Sequence, residues 1–303
     1  MLKLLAIGEV MAEIRSQKTE EAPSSYAINF AGDTFNTAIY CARALGTSGD
    51  VAFLTRIGSD PLSAGMTSFA AEEGLDTNHI AIDPHLNIGI YSVTTDALGE
   101  RSFHYWRSQS AARRLFTTEE TALFVPAAEI LYVSGISLAI LTPDARARLL
   151  ALLAERQKSD GCLIAFDSNY RPALWENQET AQNVMAAMWQ QTDIALPSID
   201  DEMALFNDKT EAEVIARFAA LPCKHIAIKR GVRGPLSPHL SDAQPLDFPP
   251  APRVVDTTAA GDSFNGGYLA AFLQGGDDEA CLMAGHNCAS RVVGAPGAIM
   301  PRD

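Results

Sequence analysis

Six short runs of unbroken apolar residues constrain this chain most: Leu4–Ile7, Val51–Leu54, Ile130–Val133, Leu163–Phe166, Ile194–Leu196 and Ile226–Ile228. Their length suits strands, and their apolarity is continuous rather than alternating. Such runs fit strands covered on both faces, as in a parallel sheet. Helical patterns lie between several of them. Phe35, Ala38, Ile39 and Ala42 follow helical spacing, and Thr142-Pro143-Asp144 opens a helix with a capping hydroxyl, a first-turn proline and an early acid. That helix carries Leu149, Leu150 and Leu153 and should end near Gly161. The alternation predicts an α/β fold, a doubly wound and largely parallel sheet with helices on both faces.

Two stretches break this pattern, at about 11–31 and 87–107. Ile88, Ile90 and Ser92 alternate with Gly89, Tyr91 and Val93, and Ala97-Leu98-Gly99-Glu100 makes a turn before Ser102–Trp106. Both stretches read as hairpin material without crossover helices. Together they can form a small β-sheet lid over one domain spanning 1–303. The proline-rich stretch from Ser237 to Pro250 reads as an excursion at the surface or the sheet edge.

With 303 residues, 47% of them hydrophobic, the chain suffices for one large packed domain. No apolar run approaches the length that spans a bilayer, and the first eight residues read as a buried strand rather than a signal peptide. A cytoplasmic protein with no membrane partner is expected. The net charge of −14 argues against nucleic-acid binding and requires any anionic substrate to be held by a local cationic cluster. The five cysteines include no CxxC pair, which argues against a disulfide framework or a structural zinc site. Cys281, His286 and Cys288 lie close in sequence and read as a helix with buried thiols.

In open α/β sheets, ligands sit beyond the carboxyl ends of the strands. Here those ends carry Gly8-Glu9, Arg56-Ile57-Gly58, Ser134-Gly135, Asp167-Ser168-Asn169, Pro197-Ser198 and Lys229-Arg230-Gly231. The strongest chemical signal is Asp256-Thr257-Thr258-Ala259-Ala260-Gly261-Asp262-Ser263-Phe264. A helix should begin near Gly261, with Phe264, Gly267, Tyr268, Ala271 and Phe272 on one buried face. Small residues before it let the amides of 259–262 converge on an anion at the positive end of the helix dipole. Asp262 in that turn suits a base that deprotonates an attacking hydroxyl, and taken alone it also suits a simple cap. There is no P-loop, no protein-kinase catalytic loop and no GxGxxG after the first strand, which argues against a Rossmann oxidoreductase.

The nine-residue string resembles the C-terminal signature of the ribokinase-like (PfkB) sugar kinases, with Ala259 where most members have glycine. Other segments extend the resemblance along nearly the whole chain. Gly32-Asp33-Thr34-Phe35-Asn36 is similar to their sugar-contacting segment. Gly99 to Arg107, Ser134 to Ala139 and Asp167 to Pro172 resemble the 2-keto-3-deoxygluconate kinases among them. The resemblance implies transfer of the ATP γ-phosphoryl group to the 6-hydroxyl of that acid sugar. Asp262 is then the base, beside the amides of Ala259, Ala260 and Gly261. Gly32, Asp33, Asn36, Tyr91, Tyr105, Arg107 and Arg171 contact the sugar. Either arginine can clamp its carboxylate, although an isolated arginine is more often a surface ion pair. Lys229-Arg230-Gly231-Val232-Arg233-Gly234 resembles the nucleotide loop. Lys229, Gly231 and Gly234, with Asn169, Ser198 and Asn287, are the expected ATP contacts. Magnesium is expected through water on Asp201 or Glu202, in a stretch where Ser198 replaces the usual asparagine. Potassium is a further possible ion, and a homo-oligomer is expected. The alternatives are another kinase of the group, such as a fructokinase or ketogluconate kinase, or a sugar sensor that has lost catalysis.

Overall fold

The computed structural model describes residues 1–16, 25–46, 50–95, 101–117, 125–240 and 246–302. The chain opens with β1 (Leu2–Ile7), β2 (Met11–Ser16), β3 (Tyr26–Ala31), α1 (Asp33–Leu45), β4 (Val51–Ile57), α2 (Pro61–Glu72) and β5 (Ile80–Ile82). It continues with β6 (Gly89–Thr95), β7 (Arg101–Trp106), β8 (Ala128–Ser134), α3 (Gly135–Ala139), α4 (Pro143–Asp160), β9 (Leu163–Asp167) and α5 (Gln178–Gln190). It closes with β10 (Ile194–Ala195), α6 (Ile199–Phe206), α7 (Glu211–Ala219), β11 (His225–Ile226), α8 (Ala260–Leu273) and α9 (Asp278–Val292).

Among the described residues, seven strands form a parallel sheet in the order β11-β10-β9-β8-β1-β4-β5. The six apolar runs all lie in or beside its strands. Alternate residues of each run feed opposite cores: Leu5, Ile7, Leu131 and Phe166 face one side, and Leu4, Ala6, Tyr132 and Ala165 the other. That two-sided burial is why the runs are continuous. The short edge strand β5 has only partly buried or exposed residues, so it leaves no comparable apolar run. The expected third residue of the last run, Ile228, instead makes an antiparallel bridge to Leu236 at the sheet edge. The chain order reverses at β1, which lies between β8 and β4. This is the switch point beside which ligands bind in such sheets.

Four further strands, in the order β3-β2-β6-β7, form a separate mixed sheet. The expected turn at Ala97–Glu100 lies outside the described residues. The helix signals read from the sequence correspond to caps: Thr142 accepts from the Ala145 amide, and Gly161 ends α4 in the left-handed region at φ 69°. Helix α8 departs from expectation. Residues Ser263 to Ala270 are all buried, rather than a single face, because α8 lies between α1 and α9. A Cβ at Gly266 would fall 2.6 Å from Tyr40 on α1, and one at Gly267 2.8 Å from Cys288 on α9. These two glycines therefore set the close approach of three helices. No described helix is long and apolar enough to cross a membrane.

Candidate active site

A cavity of about 1080 Å³ lies between the carboxyl ends of the parallel sheet and the small sheet. It is larger than a single small-ligand pocket needs and has room for two reactants. Its floor is the start of α8. Ala259 adopts φ 59° and ψ 18°, a left-handed conformation that turns the chain into the helix. The Ala260 amide is engaged by the Thr257 carbonyl at 3.2 Å. Of the expected cradle, the first-turn amides of Gly261 and Asp262 therefore remain for an anion, since neither has an intrahelical acceptor.

Asp262 stands at that turn. Its Oδ2 accepts a hydrogen bond from Asn36 Nδ2 at 2.8 Å, and its carbonyl accepts one from Thr37 Oγ1 at 3.1 Å. Burial, reinforced by the neighbouring charge of Asp33, pushes the Asp262 carboxyl up to about 8. Burial also raises Asp33, whose Oδ2 accepts from Ser134 Oγ and, at 2.9 Å, from Asn169 Nδ2. A third carboxylate, Asp167, is neutralised by Lys229 at 2.8 Å and accepts from Asn265 Nδ2 at 2.7 Å. Lys229 also reaches Asn265 Oδ1 at 3.2 Å. A protonatable group held near neutrality beside a positive helix end can accept a proton from a hydroxyl.

Gly32, Asp33, Asn36, Tyr91, Tyr105, Arg107, Asn169, Arg171 and Ser198 all line the cavity, as do Asp201, Lys229, Gly231 and 259–262. A Cβ at Gly32 would fall 2.1 Å from the Glu9 carbonyl, so only glycine fits there. Arg107 is ion-paired to the buried Glu9, and its Nε is buried without a hydrogen-bond partner among the described residues. Arg171 is half exposed and reaches Asp201 at 3.3 Å. Tyr91 stacks on Tyr105 at 5.8 Å and donates to Glu13 at 2.5 Å, so its hydroxyl is already committed.

Three expected residues stand elsewhere. Glu202 is fully buried and turned toward α7, where Arg217 binds it at 2.8 Å. Asp200 and Asp201 line the cavity from the start of α6, whereas Glu202 points away from it toward Arg217. Gly234 is a turn residue at φ 75° packed on Phe248, not a cavity wall. Asn287 lines a second, smaller cavity with Tyr40 and Arg43, because α9 presents His286, Ala289, Ser290 and Val293 to the large one. The sequence reading placed Glu9, Ser134 and Asp167 at the ligand edge of the sheet without giving them a role, and it missed Asn265. Glu9, Ser134 and Asp167 sit at the strand ends where polar residues gather. Asn265 carries no local signal.

Among the described residues, no three His, Cys, Asp or Glu side chains converge on one point. Asp167 and Asp201 nevertheless line the cavity with carboxylates that can meet a hydrated magnesium ion through water, the coordination this ion favours.

The pfkB family carbohydrate kinase model matches residues 1–303. The 2-dehydro-3-deoxygluconokinase of Escherichia coli K12 is 39% identical over 309 residues, covering 99% of this chain and 98% of that protein. The protein of the same name from Dickeya dadantii is 38% identical, covering 97% and 96%. Among solved structures, a 2-dehydro-3-deoxygluconokinase from Thermotoga maritima superposes with a TM-score of 0.78 at 21% identity, covering 99% and 96%. A Vibrio cholerae fructokinase with fructose, ADP and calcium bound has a TM-score of 0.81 at 23% identity, covering 98% and 94%. The two structures share the fold, and the family match together with the full-length relatives establishes that this chain belongs to the pfkB family of carbohydrate kinases.

Proposed function

We propose that this chain transfers the γ-phosphoryl group of ATP to the 6-hydroxyl of 2-keto-3-deoxygluconate. The observation that carries the chemistry is Asp262, partly buried and raised to about 8 beside the first-turn amides of α8, on the floor of a cavity with room for both reactants. The full-length similarity to 2-dehydro-3-deoxygluconokinases supports the choice of acceptor.

Asp262 takes the proton of the attacking hydroxyl on Oδ1 or Oδ2, while Asn36 holds the carboxylate in place. The Gly261 and Asp262 amides stabilise charge on the transferred group, and a Cβ built at Gly261 would fall 3.7 Å from Lys229 Nζ, which places that cation beside the turn. Asp33 and Asn36 offer acceptors and donors to sugar hydroxyls. Arg107 lines the cavity, and its guanidinium suits a substrate carboxylate, which would then share it with Glu9. Closure of the small sheet over the cavity excludes water, the competing acceptor. Magnesium bound with ATP supplies charge neutralisation on the phosphates, and Asp167 and Asp201 would hold it through water. We further propose one kinase domain over 1–303 with a lid from about 11–31 and 87–107, a cytoplasmic homo-oligomer, and ATP and acid-sugar contacts from those expected residues that line the cavity.

The test is an ADP-release assay with 2-keto-3-deoxygluconate, 2-keto-3-deoxygalactonate, fructose, ribose and gluconate. The acid sugar 2-keto-3-deoxygluconate should exceed the neutral sugars in kcat/KM by at least about ten-fold, the worth of one charge-assisted contact. Equal or faster turnover of fructose refutes the acid-sugar assignment. No ADP release with any sugar refutes the kinase.

A further inference from the structure

A series of buried and part-buried polar contacts runs from the cavity-facing wall of the small sheet to the turn that cradles the phosphoryl group. Tyr91 in β6 donates to Glu13 Oε2 at 2.5 Å, and Glu13, in β2, is 1% exposed. Arg15, two residues along the same strand, donates from Nε to Glu13 Oε1 at 3.2 Å and from Nη1 to Asp256 Oδ2 at 3.4 Å. Asp256 in turn accepts from the Thr258 amide at 2.7 Å and the Gly297 amide at 2.8 Å. Those two bonds fix the segment leading into the left-handed Ala259. Ala259 packs against the small apolar cluster of Met11, Ala31, Tyr91, Val93 and Ala298, which also joins the sheet to the turn.

Arg15, Glu13 and Asp256 do not line the cavity. They act only through what they hold. Among the described residues, Arg15 is the member of this series that joins β2 of the small sheet to the segment before α8, and it leaves Asp256 if the small sheet lifts away. We propose that Arg15 is a positioning residue whose guanidinium couples closure of the lid to the shape of the phosphoryl cradle, so that the cradle is set when the sugar site is closed. This rests on the kinase reading above but not on the identity of the sugar.

The test compares Arg15→Ala, Arg15→Gln and Arg15→Lys with wild type on whichever sugar of the panel wild type turns over fastest. Failure of wild type on 2-keto-3-deoxygluconate is thereby separated from failure of the Arg15 proposal. Removing a charge-assisted link of this kind should lower kcat by about ten-fold or more, with KM for the sugar changed by less than about three-fold. ADP release without sugar should not fall in step, so stimulation by sugar drops. Free guanidinium ion, at concentrations far below those that unfold the protein, should restore part of kcat in Arg15→Ala, and Arg15→Lys should retain part of it. A kcat within about two-fold of wild type overturns the proposal. So does a loss that neither guanidinium nor lysine relieves, which marks a pair that only stabilises the fold.

Discussion

Replacing Asp262 with asparagine separates two consequences of the same partly buried carboxyl. Asparagine keeps the size and the acceptor for Asn36 but can neither ionise nor take a proton. Positioned proton transfer contributes about 10²- to 10⁴-fold, so kcat should fall by that order with ATP binding retained. Stability should move the other way. The carboxyl rises from an ordinary 3.8 to about 8 in the folded protein because burial disfavours its charge. A group raised in this way favours the folded state at low pH, and the contribution is lost as pH climbs from about 4 to about 8. At about 1.4 kcal/mol per pH unit, that span sets a ceiling of roughly 6 kcal/mol, and water entering the open cavity reduces it to about 1–3 kcal/mol. Asp262→Asn should therefore melt at least about 2 °C above wild type at pH 9, with the gap narrowing toward pH 5. Calorimetry at both pH values and kcat/KM from pH 6 to 9 read the two effects. Wild-type kcat/KM should rise toward a plateau above about pH 8, the limb set by the free enzyme's base. Near-wild-type turnover by Asp262→Asn refutes the base, and a melting gap that does not widen with pH refutes the buried ionisation.

Arg107→Ala should raise KM for 2-keto-3-deoxygluconate by about 10- to 150-fold while leaving weak fructose turnover nearly unchanged, and Arg107→Lys should recover only part. An equal drop for acid and neutral sugars would assign Arg107 to closure through Glu9. Asp201→Asn should raise the magnesium requirement and lower kcat/KM by about ten-fold, whereas Glu202→Gln should leave kcat within about two-fold because its side chain faces α7; magnesium titrations of both variants distinguish them. Lys229→Met removes a cation that lowers the Asp262 value and neutralises Asp167, so the rising limb of the kcat/KM profile should move to higher pH. An unmoved limb with reduced ATP affinity would make Lys229 a nucleotide contact alone.

The sheet was legible in the sequence because burial on both faces is a local property: each central strand carries an unbroken apolar run through its middle, and no partner need be known to see it. Caps were legible for the same reason, since Thr142 and Gly161 act on backbone within a few residues. The turn at 256–262 declared itself because small residues and an acid must be adjacent at a helix start to make an anion site. What the sequence could not carry was direction and distance. That Asp201 meets the cavity while Glu202 meets Arg217 depends on how α6 is rotated against α7, and that Asn287 faces away depends on how α9 packs on α8. The Asp262 value of about 8 needs Asp33, 229 residues earlier, and a burial that no local pattern encodes. Arg15 reaches Asp256 across 241 residues, and Glu9 takes Arg107 across 98. Short-range sterics and apolarity are written along the chain, whereas ion pairing and desolvation depend on which distant segments the packed sheets bring together.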